Sequence, residues 1–253
     1  MSSLALLFRA ERVKLRKSWP MLMAVLAPIC QAAFLGLLFW FSETRFQQFK
    51  PGFRFWLEIN YVAWNLMVMP IGVALLCELS WDQERQARAW NLLLVQPWSR
   101  RDHYLVKVLG HLALVVLAQV LLALVVLAGG CILQRQPVLY MGTLPAALLL
   151  RFIGFSLAAS VAVVAFQTWL SLRVSGLWGP LAVALLGSWV AVQGLGRTAL
   201  VQFLPWGMAA HMAMVFERWR PLPWAVAVGS LVTAAALIVL GALDFQFRRF
   251  PKA

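Results

Sequence analysis

The sequence predicts an all-α, polytopic membrane protein with six transmembrane helices, an N-terminal amphipathic interfacial helix, and both termini inside (N-in/C-in). Three observations carry this. The 253 residues are 62% hydrophobic and only 12% charged, whereas soluble domains run near half apolar and a quarter charged. Mean hydropathy is +0.80, and the 13 Trp and 16 Phe add more apolar surface than one soluble core can bury, so lipid is the solvent for most of the chain. Apolar runs of spanning length recur along the chain, with Lys and Arg gathered at their ends.

A hydrocarbon core of roughly 30 Å needs about 20 helical residues per crossing. The candidate spans are residues 20–41, 57–79, 108–133, 145–172, 177–193 and 224–243. The first follows a basic stretch and leads into Ser42-Glu43-Thr44-Arg45 with no small-residue cleavage site, so we expect a retained anchor and not a signal peptide. The fourth is long enough to tilt or to project into the cytoplasm, and the fifth is short. With the N-terminus inside, fourteen Lys and Arg fall on the cytoplasmic side and seven on the other, with Arg151 inside span four. That excess fixes the orientation. No linker, low-complexity tract or internal repeat interrupts the plan, so residues 1–253 are expected to form a single transmembrane domain.

The formal charge of +13 would suggest a nucleic-acid partner in a soluble chain. Here the basic residues sit at the ends of apolar runs and not in one stripe, so they set topology and meet membrane lipid headgroups, and no nucleic acid is expected. Cys30, Cys77 and Cys131 are scattered through apolar runs, and His103, His111 and His211 lack ligand spacing, so no metal site is assigned. No nucleophile elbow or paired-carboxylate arrangement is present, and the chain is read as non-catalytic. It also lacks G-x-x-x-x-G-K-[ST], so it cannot cradle ATP phosphates and carries no cofactor of its own; any hydrolysis that drives it takes place on another polypeptide.

Residues 4–17 read as the interfacial helix. At about 100° per residue, Leu4, Leu7, Phe8 and Leu15 share one face and Arg9, Arg12 and Arg16 lie away from it, while Leu6 and Val13 break the pattern on the far side. Glu11 falls inside the apolar stripe. It either meets a cation, Lys14 or a group on another segment, or points into headgroup water.

The cytoplasmic loop 80–107 is the most informative connection. It places Glu84 and Arg88 at i,i+4, with Asp82, Arg85 and Trp90 nearby, then an apolar patch Leu92-Leu93-Leu94 ended by Gln96-Pro97. Trp98-Ser99-Arg100-Arg101-Asp102 then reads as a turn and a helix start. A short helix offering aromatic, apolar and charged groups together suits a cytoplasmic partner's groove; a solvated hairpin is the alternative.

On the other side, the outer hairpin 194–223 is apolar but broken at Pro205-Trp206-Gly207. It is too short to cross, and either dips and returns as part of a substrate path or lies flat. Within the spans, Arg151 either pairs with Glu58 or snorkels to the headgroups. Gln31, Asn60, Asn65, Gln119 and Gln167 either line a polar path or join helices by hydrogen bonds.

The order Glu78, Glu84, Trp90, Leu93, Pro97, Ser99-Arg100, Tyr104 and Lys107 resembles the E...W..LL..P.SR...Y..K pattern of permease subunits of ABC-2 type ABC transporters. Glu11-Arg12-Val13-Lys14-Leu15 is similar to the amphipathic element those permeases carry before their first span. The resemblance covers essentially the whole chain. It implies that the loop with Glu78, Asp82, Glu84, Arg88, Trp90, Leu93, Pro97, Arg100, Arg101, Tyr104 and Lys107 couples to separate ABC ATPase subunits, which hold the ATP and Mg. It also implies re-entrant or surface helices between spans five and six, a homodimer or a heterodimer with a related permease, and the bacterial cytoplasmic (inner) membrane. The small size and Pro205-Trp206-Gly207 look like permeases that clear lantibiotics or other antimicrobial peptides. A stand-alone secondary transporter or channel, and an intramembrane enzyme or assembly factor, are the competing classes.

Overall fold

In lipid a chain satisfies its backbone polar groups within helices, and the apolar runs form helices accordingly. The computed structural model describes residues 3–16, 18–41, 52–86, 99–135, 146–194, 203–211 and 224–247. The helices are α1 (Ser3–Leu15), α2 (Trp19–Phe41), α3 (Phe53–Gln86), α4 (Arg100–Leu133), α5 (Ala146–Arg173), α6 (Trp178–Gly194) and α7 (Trp224–Phe247). By length and composition α2, α3, α4, α5 and α7 can each cross a membrane, while α6 is a shorter apolar helix of 17 residues. Among the described residues there is no strand.

Two helices overrun their expected spans. α3 continues to Gln86 and α4 begins at Arg100, so much of the expected loop 80–107 is helical at both ends, and residues 87–98 lie outside the described residues. Hydropathy falls where the charges begin, but those charges pair across helices, so the backbone stays wound. α3 also contains one wide turn, Trp64–Val68, in which the Met69 N–H reaches back to the Trp64 carbonyl. Pro70 follows it, with no N–H to donate and a ring that crowds the carbonyl one turn back; the wide turn accommodates both.

α2 packs along α4, α5 along α7, and α3 lies against α2, α5 and α6, while α1 rests on α4. The core is aromatic at its outer level. Trp56 donates its indole N–H to the Val126 carbonyl at 2.7 Å and meets Phe39 edge-on at 5.4 Å. A Cβ at Gly129 would stand 3.0 Å from the Trp56 ring, so a residue without a side chain lets α4 come this close. Polar side chains at mid-bundle join helices: Gln119 donates to Ser156 at 2.6 Å, Ser156 to Asn65 at 2.9 Å, and Gln31 to the Asn60 carbonyl at 2.7 Å. Each is enclosed, so its alternative in lipid is an unpaired polar group.

The outward surface is apolar and ends in aromatics. Trp19 and Trp178, at the starts of α2 and α6, are 63% and 78% exposed; Phe41 and Trp224, at the opposite end of the bundle, are 80% and 74% exposed. Such pairs of rings at both ends suit the two headgroup levels of a bilayer.

Candidate coupling site

The sequence caps α4 at Ser99, whose hydroxyl accepts the Asp102 N–H at 3.1 Å, as the turn-and-start pattern predicts. From that start, Tyr104, Lys107 and His111 recur at helical spacing and are all buried. On α3 the matching face holds Cys77, Glu78, Trp81 and Glu84, and on α1 it holds Leu7, Glu11 and Leu15. The three faces converge on one end of the bundle, where a cavity of about 110 Å³ is lined by Glu11, Lys14, Trp81, Glu84, His103 and Lys107 among others.

Two glutamates and two lysines close this junction. Lys107 Nζ lies 2.9 Å from Glu84 and 3.0 Å from Glu11, and donates to the Ser80 carbonyl at 3.3 Å. An ammonium has three N–H groups, and here it has three oxygen neighbours. The Trp81 ring, 5.1 Å away, adds a cation–π contact. Lys14 reaches Glu84 at 3.2 Å and Glu11 at 3.8 Å. The Lys107 side chain is 5% exposed and that of Lys14 50%, so Lys107 is the keystone and Lys14 a screened surface partner. Glu11, placed by sequence either on a cation or in headgroup water, sits between both lysines.

A second junction ties the same end of α3 to the α5–α6 turn. Glu78 pairs with Arg85 and accepts the Gly176 N–H at 2.9 Å. Arg85 and Trp81 donate at 3.0 Å to the Ser171 and Thr168 carbonyls respectively. Gly176 has φ +104°, a conformation that glycine adopts without strain. Asp82 stays on its own helix, accepting from Gln86 at 2.6 Å.

A third junction binds the last helix. Arg173 donates to Asp244 at 2.6 Å, as does Trp169 at 3.1 Å. Arg101 bonds the Gln246 side chain, and Arg100 reaches the Gln246 carbonyl at 3.5 Å. Tyr104 lies so close to Gly241 that any Cβ there would overlap its ring. Arg100, Arg101 and Tyr104, read from sequence as coupling residues, therefore hold α7. Arg88, Trp90, Leu93 and Pro97 lie outside the described residues.

The remaining sequence-singled residues are placed elsewhere. Glu58 pairs with Arg54, one turn back, at 2.7 Å, and Arg151 is exposed. The considered Glu58–Arg151 pair is thus replaced by a local one, since a neighbour at i−4 reaches without crossing helices. Pro205, Trp206 and Gly207 are buried. The Trp206 ring meets Phe166 edge-on at 5.2 Å and covers Gly187, where a Cβ would collide with it. Phe166 is 20 residues from one end of α5 and 7 from the other, so Trp206 reaches deep into the bundle, and residues 205–210 around it are buried.

Sequence reasoning missed Trp81, Thr168, Gly176, Gly241, Asp244 and Gln246 as parts of this end. Asp244 carried a signal, an acid closing an otherwise apolar run. The glycines carried none, because only the partner ring reveals what they admit. Among the described residues no three of His, Cys, Asp and Glu gather as a metal set.

The described helices form an all-α, multi-pass bundle, one end of which is cross-braced by buried ion pairs between α1, α3 and α4, the arrangement of a polytopic membrane protein. Residues 7–191 match the profile of the family described as ABC-2 family transporter protein. The chain belongs to this ABC-2 family, and is a membrane-spanning component of an ABC transporter. The match takes in α3 and α4 whole and α1 from Leu7, and so all four residues of the charged junction. A search of curated proteins gave no match.

Proposed function

We propose that this protein is the permease subunit of an ATP-driven exporter in a bacterial cytoplasmic membrane. Separate ABC ATPase subunits, holding ATP and Mg, grip the connection between α3 and α4. Two permease chains, identical or related, form the path, and the cargo is hydrophobic or amphipathic, such as an antimicrobial peptide. The junction of Glu11, Glu84, Lys14 and Lys107 is the observation that carries this reading. It fastens both helices that flank the gripped connection, and α1 with them, into one unit. A nucleotide-dependent pull on the connection then moves α1, α3 and α4 together, provided the ATPase holds it differently in its two states.

The test replaces Trp90 and Leu93 by Ala in the full chain, co-expressed with an ABC ATPase that co-purifies with the wild type. We expect the double variant to insert normally and the ATPase to lose co-purification and transport-linked turnover. Undiminished transport by a stably expressed double variant overturns the reading.

A further inference from the structure

The seam between α2 and the cytoplasmic half of α3 is concave and faces outward. Ser18, Trp19, Met21, Leu22 and Val25 form one wall and Gln83 the other of an open groove of about 470 Å³. A smaller recess of about 30 Å³ lies deeper, lined by Ala24 and Ala27 of α2, Trp64 and Gly72 of α3, and Leu114 and Ala118 of α4. Gly72 has open space where a Cβ would be.

The groove is polar at one end only. Ser18 and Gln83 stand at its mouth beside the exposed ring of Trp19, and the walls beyond are apolar. The Ser18 hydroxyl is engaged, donating to the Leu15 carbonyl at 2.6 Å, so Gln83 is the amide offered to an occupant. Arg16, exposed in the turn two residues before Ser18, is the cation nearest the mouth along the chain. Val25 lies six residues into α2, about 9 Å along its axis. A soluble protein segment does not reach that depth in hydrocarbon, whereas an acyl chain already lies there.

We propose that this seam binds one anionic phospholipid of the inner leaflet, its acyl chain in the groove and its headgroup at Gln83 and Arg16. The site is separate from the coupling junction and does not depend on which cargo the protein carries. Native mass spectrometry of the full chain, titrated with phosphatidylglycerol and with phosphatidylcholine, tests it. Val25→Trp fills the groove, Arg16→Gln removes the cation, and Leu186→Trp alters an outward face of α6 as control.

The wild type should hold one phosphatidylglycerol more tightly than the rest. Val25→Trp should weaken both lipids by about tenfold or more, the loss of two buried methylenes. Arg16→Gln should weaken phosphatidylglycerol alone, by about fivefold. Equal retention by Val25→Trp and the wild type overturns the proposal, as does an equal loss in the α6 control. A Val25→Trp variant that keeps its lipid but loses ATPase association shows the groove to be a protein contact, and also overturns it. A circular-dichroism spectrum matching the wild type shows that each variant is folded.

Discussion

Lys107→Met removes the keystone of the charged junction and leaves its shape nearly filled. In the variant, Glu11 and Glu84 face each other with side chains 7% and 10% exposed, and their remaining cation is the half-exposed Lys14. Removing one partner of a buried ion pair destabilises by about 3–5 kcal/mol. For a chain of this size about 1 kcal/mol moves the midpoint by some 2–4 °C, so thermal unfolding in detergent, followed by tryptophan fluorescence, should show a drop of about 6–20 °C. Protonating a stranded carboxylate relieves the repulsion. Burial pushes the Glu84 carboxyl up, and Lys107 with Lys14 holds it below its usual range; without Lys107 its proton affinity in the folded state rises, so the variant's deficit should shrink as pH falls and grow as pH rises. Lys107→Met combined with Glu84→Leu leaves Glu11 with Lys14 and replaces the central pair by apolar groups; most of the loss should return. A Lys107→Met variant that melts within about 2 °C of the wild type at pH 8, roughly the scale of a surface pair, refutes the reasoning, because the cluster would then be open to water.

Gly241→Ala should destabilise by about 1–3 kcal/mol through overlap with Tyr104, and Tyr104→Leu in the same chain should recover part of it; denaturant unfolding of the single and double variants measures this. Arg151→Ala should leave stability within about 0.5 kcal/mol of the wild type. Arg54→Ala should cost about 0.3–0.5 kcal/mol, and a double-mutant cycle should show coupling of Glu58 to Arg54 and none to Arg151.

Hydropathy was enough to find the five helices long and apolar enough to cross a membrane, because a run such as Leu121 to Leu127 has no other solvent than lipid; the expected fifth span corresponds to the shorter α6. Hydropathy misplaced the cytoplasmic ends of α3 and α4. Glu84, Arg85 and Lys107 fall in the loop 80–107 of a linear reading, and only their partners on other helices make them interior. Glu11 was flagged by its own helical face, a local signal. Gly241 had no such signal, and the acid Asp244 that closes an apolar run did not reveal its partner, since their meaning comes from Tyr104 and Arg173, 137 and 71 positions away. The wide turn at Trp64–Val68 had a cue in Pro70, but the cue permits a kink as readily as an extra residue.

The shortness of α6 has a consequence for the surrounding bilayer. Its 17 residues reach about 25 Å, some 5 Å less than an average hydrocarbon slab, while Leu186, Trp189 and Val190 present it to the acyl chains. A helix of that length crosses an average slab only where the membrane thins or the flanking groups stretch, at fractions of a kcal/mol per Å.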